Sequence, residues 1–309
     1  MPRFAYVNGR YVAHSDAAVH IEDRGYQFSD GVYEVVTVKD GRLIDATAHM
    51  DRLDRSLDEL QIAWPVARPV LQMIMAELIK RNALRDGLVY MQVTRGVAPR
   101  DHAFPKGDVR PALVMTTKRL NFAKMTKFTD GVSVISAPDQ RWARRDIKTI
   151  SLLPNCLNKQ KATEAGCYEA WQVDPKDGKV TEGTASNAWI INEKGELITR
   201  PATHRILNGI TRLTILKIAE EEGIPFVERA FSLDEAKRAK EAFASSATSF
   251  VTPVVKIDDS PVGDGKVGPI CRKLLAGYND YVAGLRTGGA QWPDDIPADE
   301  NPSDADRAA

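Results

Sequence analysis

Two tight-turn dipeptides constrain this chain before anything else does. Asn8-Gly9 sits at the centre of Phe4–Val12, and Asp40-Gly41 separates Val32–Val38 from Arg42–Ala46. A two-residue hairpin turn needs φ > 0 at both central positions, which these pairs tolerate, so both stretches read as antiparallel hairpins. Helices are expected next, at His49–Leu60 with Leu53, Leu57 and Leu60 on one face, and at about 70–82, where Pro69 suits a first helical turn. Leu88–Thr94 and Ala112–Thr117 have the composition of strands and complete a first sheet.

The pattern then breaks between Lys118 and Thr129, a polar, basic stretch without periodicity. A second set of strands follows at Val132–Ser136, Ala170–Val173, Ala188–Asn192 and Phe250–Lys256. Helices alternate with them at about 154–165, 210–222, 233–240 and 269–285, and Ser232-Leu-Asp-Glu235 is a capping box at a helix start. A chain of 309 residues suits two domains at roughly 150 residues each. The expected fold is therefore mixed α/β (α+β) in two domains: residues 1–117, a linker at 118–129, and residues 130–286. Residues 287–309, rich in Gly, Pro, Asp and Glu, bury too little surface to offset their ordering entropy and are expected to form a flexible acidic tail.

Charge excludes some partners. Forty-two basic residues against 42 acidic ones leave no net field to draw in nucleic acid or an anionic membrane. Apolar runs such as Gly131–Ala137 fall far short of the roughly 18 residues of a membrane span. Residues 1–9 contain no apolar signal-peptide core, so the expectation is a soluble, cytoplasmic protein. Cys156, Cys167 and Cys271 lack metal-like spacing and read as buried structural thiols, and the five histidines show no paired spacing for a metal site.

Four stretches could carry chemistry. In Arg141–Ile150, Lys148 lies between Ile147 and Thr149 at an expected strand end; partial desolvation, helped by Arg144 and Arg145, would make it a better amine nucleophile. Taken alone it is also an ordinary surface lysine. Glu182, in Val180-Thr-Glu-Gly183, sits in an expected polar loop where a carboxylate could pair with a cationic heterocycle, or simply serve a turn. Leu207–Arg212 opens a helix whose Ile210 and Thr211 N–H groups suit a phosphate, and Ser245–Ser249 adds hydroxyls and amides. Arg100 and His102 alternate beyond a strand, so on extended backbone both point one way and make a carboxylate trap, or else a solvated loop.

Together these segments resemble the fold-type IV pyridoxal-phosphate-dependent aminotransferases, and within them the D-amino-acid branch. The resemblance runs from about Tyr6 to about Tyr278. It is carried by Glu22–Glu34 (EDRGYQFSDGVYE), Arg141-Trp142 with Asp146-Ile-Lys148, Leu152-Leu-Pro-Asn155 and Thr181-Glu-Gly183. It implies a smaller N-terminal α+β domain and a larger C-terminal β-barrel-like domain with helices. It also assigns roles: Lys148 becomes the Schiff-base lysine and proton carrier, and Glu182 the partner of the pyridine nitrogen. Arg52, Ile210, Thr211, Ser246 and the Ala247 position would hold the phosphate of pyridoxal 5′-phosphate, with Leu207 against the ring.

Tyr33, Arg100 and His102 match the positions that hold the substrate α-carboxylate in the D-amino-acid branch. Ping-pong transamination of a D-amino acid follows, of the type D-alanine plus 2-oxoglutarate to pyruvate plus D-glutamate. The family's Arg-x-His loop reaches the neighbouring subunit's site, which implies a homodimer. The sequence departs from the pattern at Ala247, where relatives often carry threonine, and at Ala185, where serine is common; each missing neutral hydrogen bond should trim affinity by about 1 kcal/mol at most. A branched-chain L-amino-acid aminotransferase, an aminodeoxychorismate lyase and a catalytically silent binding protein are the alternatives.

Overall fold

The computed structural model describes residues 2–286, so the acidic tail expected at 287–309 lies outside the described residues. Two compact units emerge. Of the described residues, the first comprises 2–124 together with 147–152, the second 125–146 and 153–286.

In the first unit the chain runs β1 (Phe4–Val7), β2 (Arg10–Ala13), α1 (Arg24–Phe28), β3 (Gly31–Lys39), β4 (Arg42–Leu43), α2 (Ala46–Glu59), α3 (Arg68–Arg81), β5 (Gly87–Thr94) and β6 (Ala112–Arg119). The strands form a six-stranded antiparallel sheet in the order β2-β1-β6-β5-β3-β4. Both hairpin turns form, with Asn8 at φ 45° and Gly9 at 95°, and Asp40 at 49° and Gly41 at 76°. Alternation along β3 sends Val32, Glu34 and Val36 to the buried face and leaves Tyr33 and Val35 half-buried on the other. Leu53 and Leu57 of α2 and Leu71, Met75 and Leu78 of α3 pack onto that buried face.

The sequence draws residues 130–286 as one unbroken domain, yet 147–152 belongs to the first unit. The cause is a free sheet edge. β4 pairs only with Val38 and Lys39, so the start of β3 has no strand on that side. There Tyr33 N–H donates to the Lys148 carbonyl at 3.0 Å and Ile150 N–H to that of Gly31 at 3.1 Å, while Val32 and Thr149 form a bridge. Ile147 enters the core. The expected linker also begins too early, because Lys118 and Arg119 stay in the ladder opposite Leu88 and Gly87.

The second unit runs β7 (Val132–Pro138), α4 (Leu153–Glu164), β8 (Glu169–Val173), β9 (Val180–Gly183), β10 (Asn187–Ile191), β11 (Leu197–Thr199), α5 (Ile210–Glu221), β12 (Phe226–Glu228), α6 (Leu233–Lys237), β13 (Glu241–Ser246), β14 (Phe250–Ile257), β15 (Ser260–Pro261) and α7 (Pro269–Ala283). Its nine-stranded mixed sheet follows the order β12-β11-β10-β13-β14-β7-β8-β9, with β15 on β14. The sheet curls: its last strand returns beside β10, where Asn187 hydrogen bonds Glu182 of β9 at 3.0 Å. Trp171, Ile190, Phe231, Val254 and Ile257 fill one core. Ser232 caps α6 by accepting the Glu235 N–H at 3.1 Å. Helix α6 stops at Lys237 rather than at residue 240, and a three-residue turn leads into β13 at Glu241.

Candidate active site

Each unit carries its own set of polar groups. In the first, Lys148 is half-buried on an irregular segment rather than at the end of a strand. Its ammonium lies 4.3 Å from the centre of the Tyr33 ring, a cation–π contact. Its backbone N–H donates to Ser56 Oγ at 3.5 Å. Tyr33 stacks on Tyr90 with ring centres 5.7 Å apart, and Tyr90 in turn donates to Gln92 at 2.8 Å. Arg144 and Arg145, expected to press on the lysine, face carboxylates in the second unit instead. Arg144 makes a fork on buried Asp146 at 3.0 and 2.9 Å, and Arg145 lies 3.2 Å from Asp139.

Beneath the same sheet, Arg52 donates Nε and Nη2 to the two oxygens of Glu34 at 2.7 and 2.8 Å, and His49 Nδ1 lies 2.7 Å from Glu34 Oε2. All three side chains are buried. Burial alone would push the Glu34 carboxyl up; the Arg52 guanidinium and His49 outweigh it and hold it far below the usual carboxylate range. The ion pair fixes the Arg52 guanidinium in one orientation.

Arg100 and His102 both flank one ring. Arg100 lies 5.0 Å from the centre of Phe28, and the His102 ring centre is 5.4 Å from it. Both side chains are exposed. No hydrogen bond or ring contact joins either of them to Tyr33 among the described residues.

In the second unit Glu182 is 4% exposed and lies on β9, not in a polar loop. Gly183 and Val180 pair with Trp171 and Val173 of β8, which turns the expected loop into a bulged strand. Its Oε1 accepts from Arg141, while Oε2 accepts Asn187 Nδ2 at 3.0 Å and the Leu207 N–H at 3.1 Å. Burial pushes the Glu182 carboxyl up and the nearby Asp139 charge adds to the rise, while Arg141 and the Leu207 N–H offset it only in part. A further positive group at this carboxylate is therefore electrostatically welcome.

Asn187 ties the surroundings together. It also donates to the Leu207 carbonyl at 2.8 Å and sits opposite Ser245 in the β10–β13 ladder. A Cβ at Gly209 would meet Asn187 Oδ1 at 2.2 Å, so only glycine lets the chain pass here into α5. Helix α5 opens without a side-chain cap, which leaves the N–H groups of Ile210 and Thr211 at its positive end. The Ser246–Ser249 turn between β13 and β14 follows from the same ladder.

A model of the family "Amino-transferase class IV" matches residues 31–257. The chain belongs to the class IV aminotransferases. The D-alanine aminotransferase of Staphylococcus haemolyticus is 41% identical over 277 residues, covering 90% of this chain and 97% of that protein. That of Bacillus licheniformis is 42% identical over 275 residues, covering 89% and 95%. Among solved structures, the branched-chain amino acid aminotransferase of Escherichia coli superposes with a TM-score of 0.84 at 22% identity, covering 96% of this chain and all of that one, 100%. The enzyme of the same name from Thermobaculum terrenum gives 0.78 at 24% identity, over 92% and 95%. These structures share the fold.

This class IV aminotransferase brings the expected residues together in groups: Lys148 with Tyr33, Arg100 with His102, and Glu182 with Leu207. Asn187, Arg141, Glu34 and His49 received no role from the sequence. Arg141 and Glu34 stand inside the quoted motifs and Asn187 just beyond one; Asn187 and Arg141 reach Glu182 from 5 and 41 residues away, a convergence that only the folded chain reveals. No cluster of metal-binding side chains occurs among the described residues.

Proposed function

We propose that this aminotransferase uses pyridoxal 5′-phosphate to move the amino group of a D-amino acid, D-alanine among them, to 2-oxoglutarate or pyruvate in two half-reactions. The observation that carries the reading is the pair Arg100 and His102, both packed on the Phe28 ring, two donors that a carboxylate can bridge. The names of the relatives support it. The residues present fit the cofactor. Glu182 is a buried carboxylate whose ion pair with Arg141 offsets its burial only in part, and α5 offers an uncapped N-terminus beside a glycine with no room for a side chain.

When bound, the cofactor ring takes up the electron pair left on the substrate Cα. The protein orients and holds. Lys148 Nζ supplies the amine and moves the proton that leaves Cα, and the Tyr33 ring keeps that nitrogen in place. Glu182 holds a proton on the heterocycle nitrogen, with Asn187 and Arg141 fixing its two oxygens. Arg52, the amides of Ile210 and Thr211, Ser246 and the turn at Ala247 bind the phosphate. Leu207 packs on the ring, and its backbone is already pinned by Glu182 and Asn187.

Tyr33, Arg100 and His102 bind the substrate carboxylate, which decides the face of Cα that meets Lys148. The Arg100–His102 loop serves the neighbouring subunit's site, so the chain works as a homodimer. Two observations support this: among the described residues neither has a hydrogen bond or ring contact with Tyr33, and the apolar side chains Ile21 and Tyr26 are both 75% exposed in the same unit. No helix among the described residues is long and apolar enough to cross a membrane. A cytoplasmic setting accords with three free thiols.

A substrate panel tests the reading. Purified enzyme with 2-oxoglutarate should turn over D-alanine and leave L-leucine nearly untouched. Preference for L-leucine, or pyruvate release from a chorismate-derived amine without any acceptor, would overturn it.

A further inference from the structure

Arg24 is a charged side chain that the reaction described above does not use, and it is only 3% exposed. It belongs to α1, where Asp23 caps the helix by accepting the Gly25 N–H at 2.8 Å. Its Nε donates to Asp30 at 2.8 Å. The remaining nitrogens reach across the chain: Nη1 donates to the carbonyls of Asp101 at 2.6 Å and Ala103 at 3.3 Å, and Nη2 to that of His102 at 3.5 Å. Three successive carbonyls of the loop that bears Arg100 and His102 thus converge on one buried guanidinium. The same guanidinium lies 4.8 Å from the centre of Phe28, the ring that Arg100 and His102 both flank.

The base of the loop is fastened to the same turn. Arg24 N–H donates to Gly96 at 2.9 Å, Arg95 N–H to Asp30 at 3.1 Å and Ala98 N–H to Glu22 at 3.3 Å. Arg95 also forks onto Asp30 at 2.7 and 3.0 Å and stacks 3.6 Å from the centre of the Phe104 ring. Asp30 therefore balances two buried arginines, one at the foot of the loop and one at its tip. Residues 95–111 contain no helix or strand, so without these ties the loop would surrender backbone freedom at every binding event.

We infer that Arg24 is the positioning residue of the substrate-carboxylate trap: by gripping the carbonyls of residues 101–103 it sets the direction in which Arg100 and His102 project. The inference rests on the reading of Arg100 and His102 as that trap. Only the planar fork of arginine spans three carbonyls at once; an ammonium at the same place is a point charge with a shorter reach.

The test uses the holoenzyme with D-alanine and L-alanine as donors. Arg24→Lys should raise KM for D-alanine about tenfold, hold kcat within about threefold and lower the D-to-L ratio of kcat/KM by about tenfold, with cofactor absorbance and Tm retained. An unchanged KM, or a loss of kcat alone, overturns the inference. Arg100→Ala, run in parallel, separates the two levels. If it raises KM and Arg24→Lys does not, the trap stands and the positioning role falls. If Arg100→Ala leaves both KM and the D-to-L ratio unchanged, the trap reading falls and takes the inference with it. Should the lysine variant fail to fold, Arg24→Gln and Phe28→Leu are read by the same KM, and unchanged values in both count against the role.

Discussion

Lys148 and Tyr33 hold each other twice: the Tyr33 N–H donates to the Lys148 carbonyl at 3.0 Å, and the Lys148 ammonium rests 4.3 Å from the centre of the Tyr33 ring. Backbone and side chain are thereby separable. Tyr33→Phe keeps the ring under the amine and removes only the hydroxyl, so KM for the amino donor should rise while kcat changes little. Tyr33→Ala removes the ring as well, and kcat should then fall too. Equal kinetics in the two variants would sever the ring from the positioning of the amine.

Covalent chemistry at one nitrogen is directly measurable. Borohydride reduction of the holoenzyme followed by peptide mass spectrometry should place the pyridoxyl label on Lys148. Lys148→Ala should lose both label and turnover.

Glu182 has a charge that can be removed without changing its shape. Glu182→Gln retains an oxygen for Asn187 and for the Leu207 N–H but no longer keeps the heterocycle protonated. Loss of an electrostatic partner fixed in a water-poor site costs on the order of a hundredfold in kcat, with KM much less affected. Steady-state kinetics at saturating cofactor report it.

Acid sensitivity follows from Glu34. Its carboxyl is held below its usual value in the folded protein, so the stabilisation is complete above the unfolded value near 4.5 and fades as pH falls through the folded one. Glu34→Gln leaves the Arg52 guanidinium buried with its carboxylate partner gone, which costs about 3–5 kcal/mol at neutral pH. Urea midpoints at pH 7 and pH 3 should differ more in the parent than in the variant.

Lys127 predicts a slope of the same sign in an alkaline window. Burial lowers its ammonium to about 8, with Lys159 acting the same way and Glu169 against. The unfolded chain binds the proton more readily between that value and the ordinary 10.5, so this group makes stability rise with pH across the window. Lys127→Met should flatten the rise, as read from urea midpoints at pH 8 and pH 10.

Hairpins and long helices were legible because each is a local signal: Asn8-Gly9, the leucines of α2 and Pro69 all act within a few residues. What escaped the sequence depends on distance or shortness. Helix α1 has five residues, too few for a 3.6-residue period to declare itself, and the carbonyls Arg24 seeks lie 77 to 79 residues away. Strand β13, with the sequence EAFASS, carries small side chains of modest strand propensity and owes its place to a central position in the sheet. Glu182 was visible as a residue but not as a buried one, since the burial comes from β8 and β10 on either side. Lys148 was found by its motif, while its membership of the first unit depended on the unpaired edge of β3.

That last feature bears on how this protein may be cut. The covalent thread leaves the first unit at residue 124, re-enters for 147–152, and departs again. A fragment ending at Lys124 would retain Tyr33 without Lys148, and one beginning at Met125 would carry Lys148 stripped of that ring and of the strand it leans on. Neither half is contiguous in sequence, so recombination between relatives that swaps the units at a single crossover would part Lys148 from Tyr33, whereas transplanting residues 147–152 together with the first unit would keep the two from one parent.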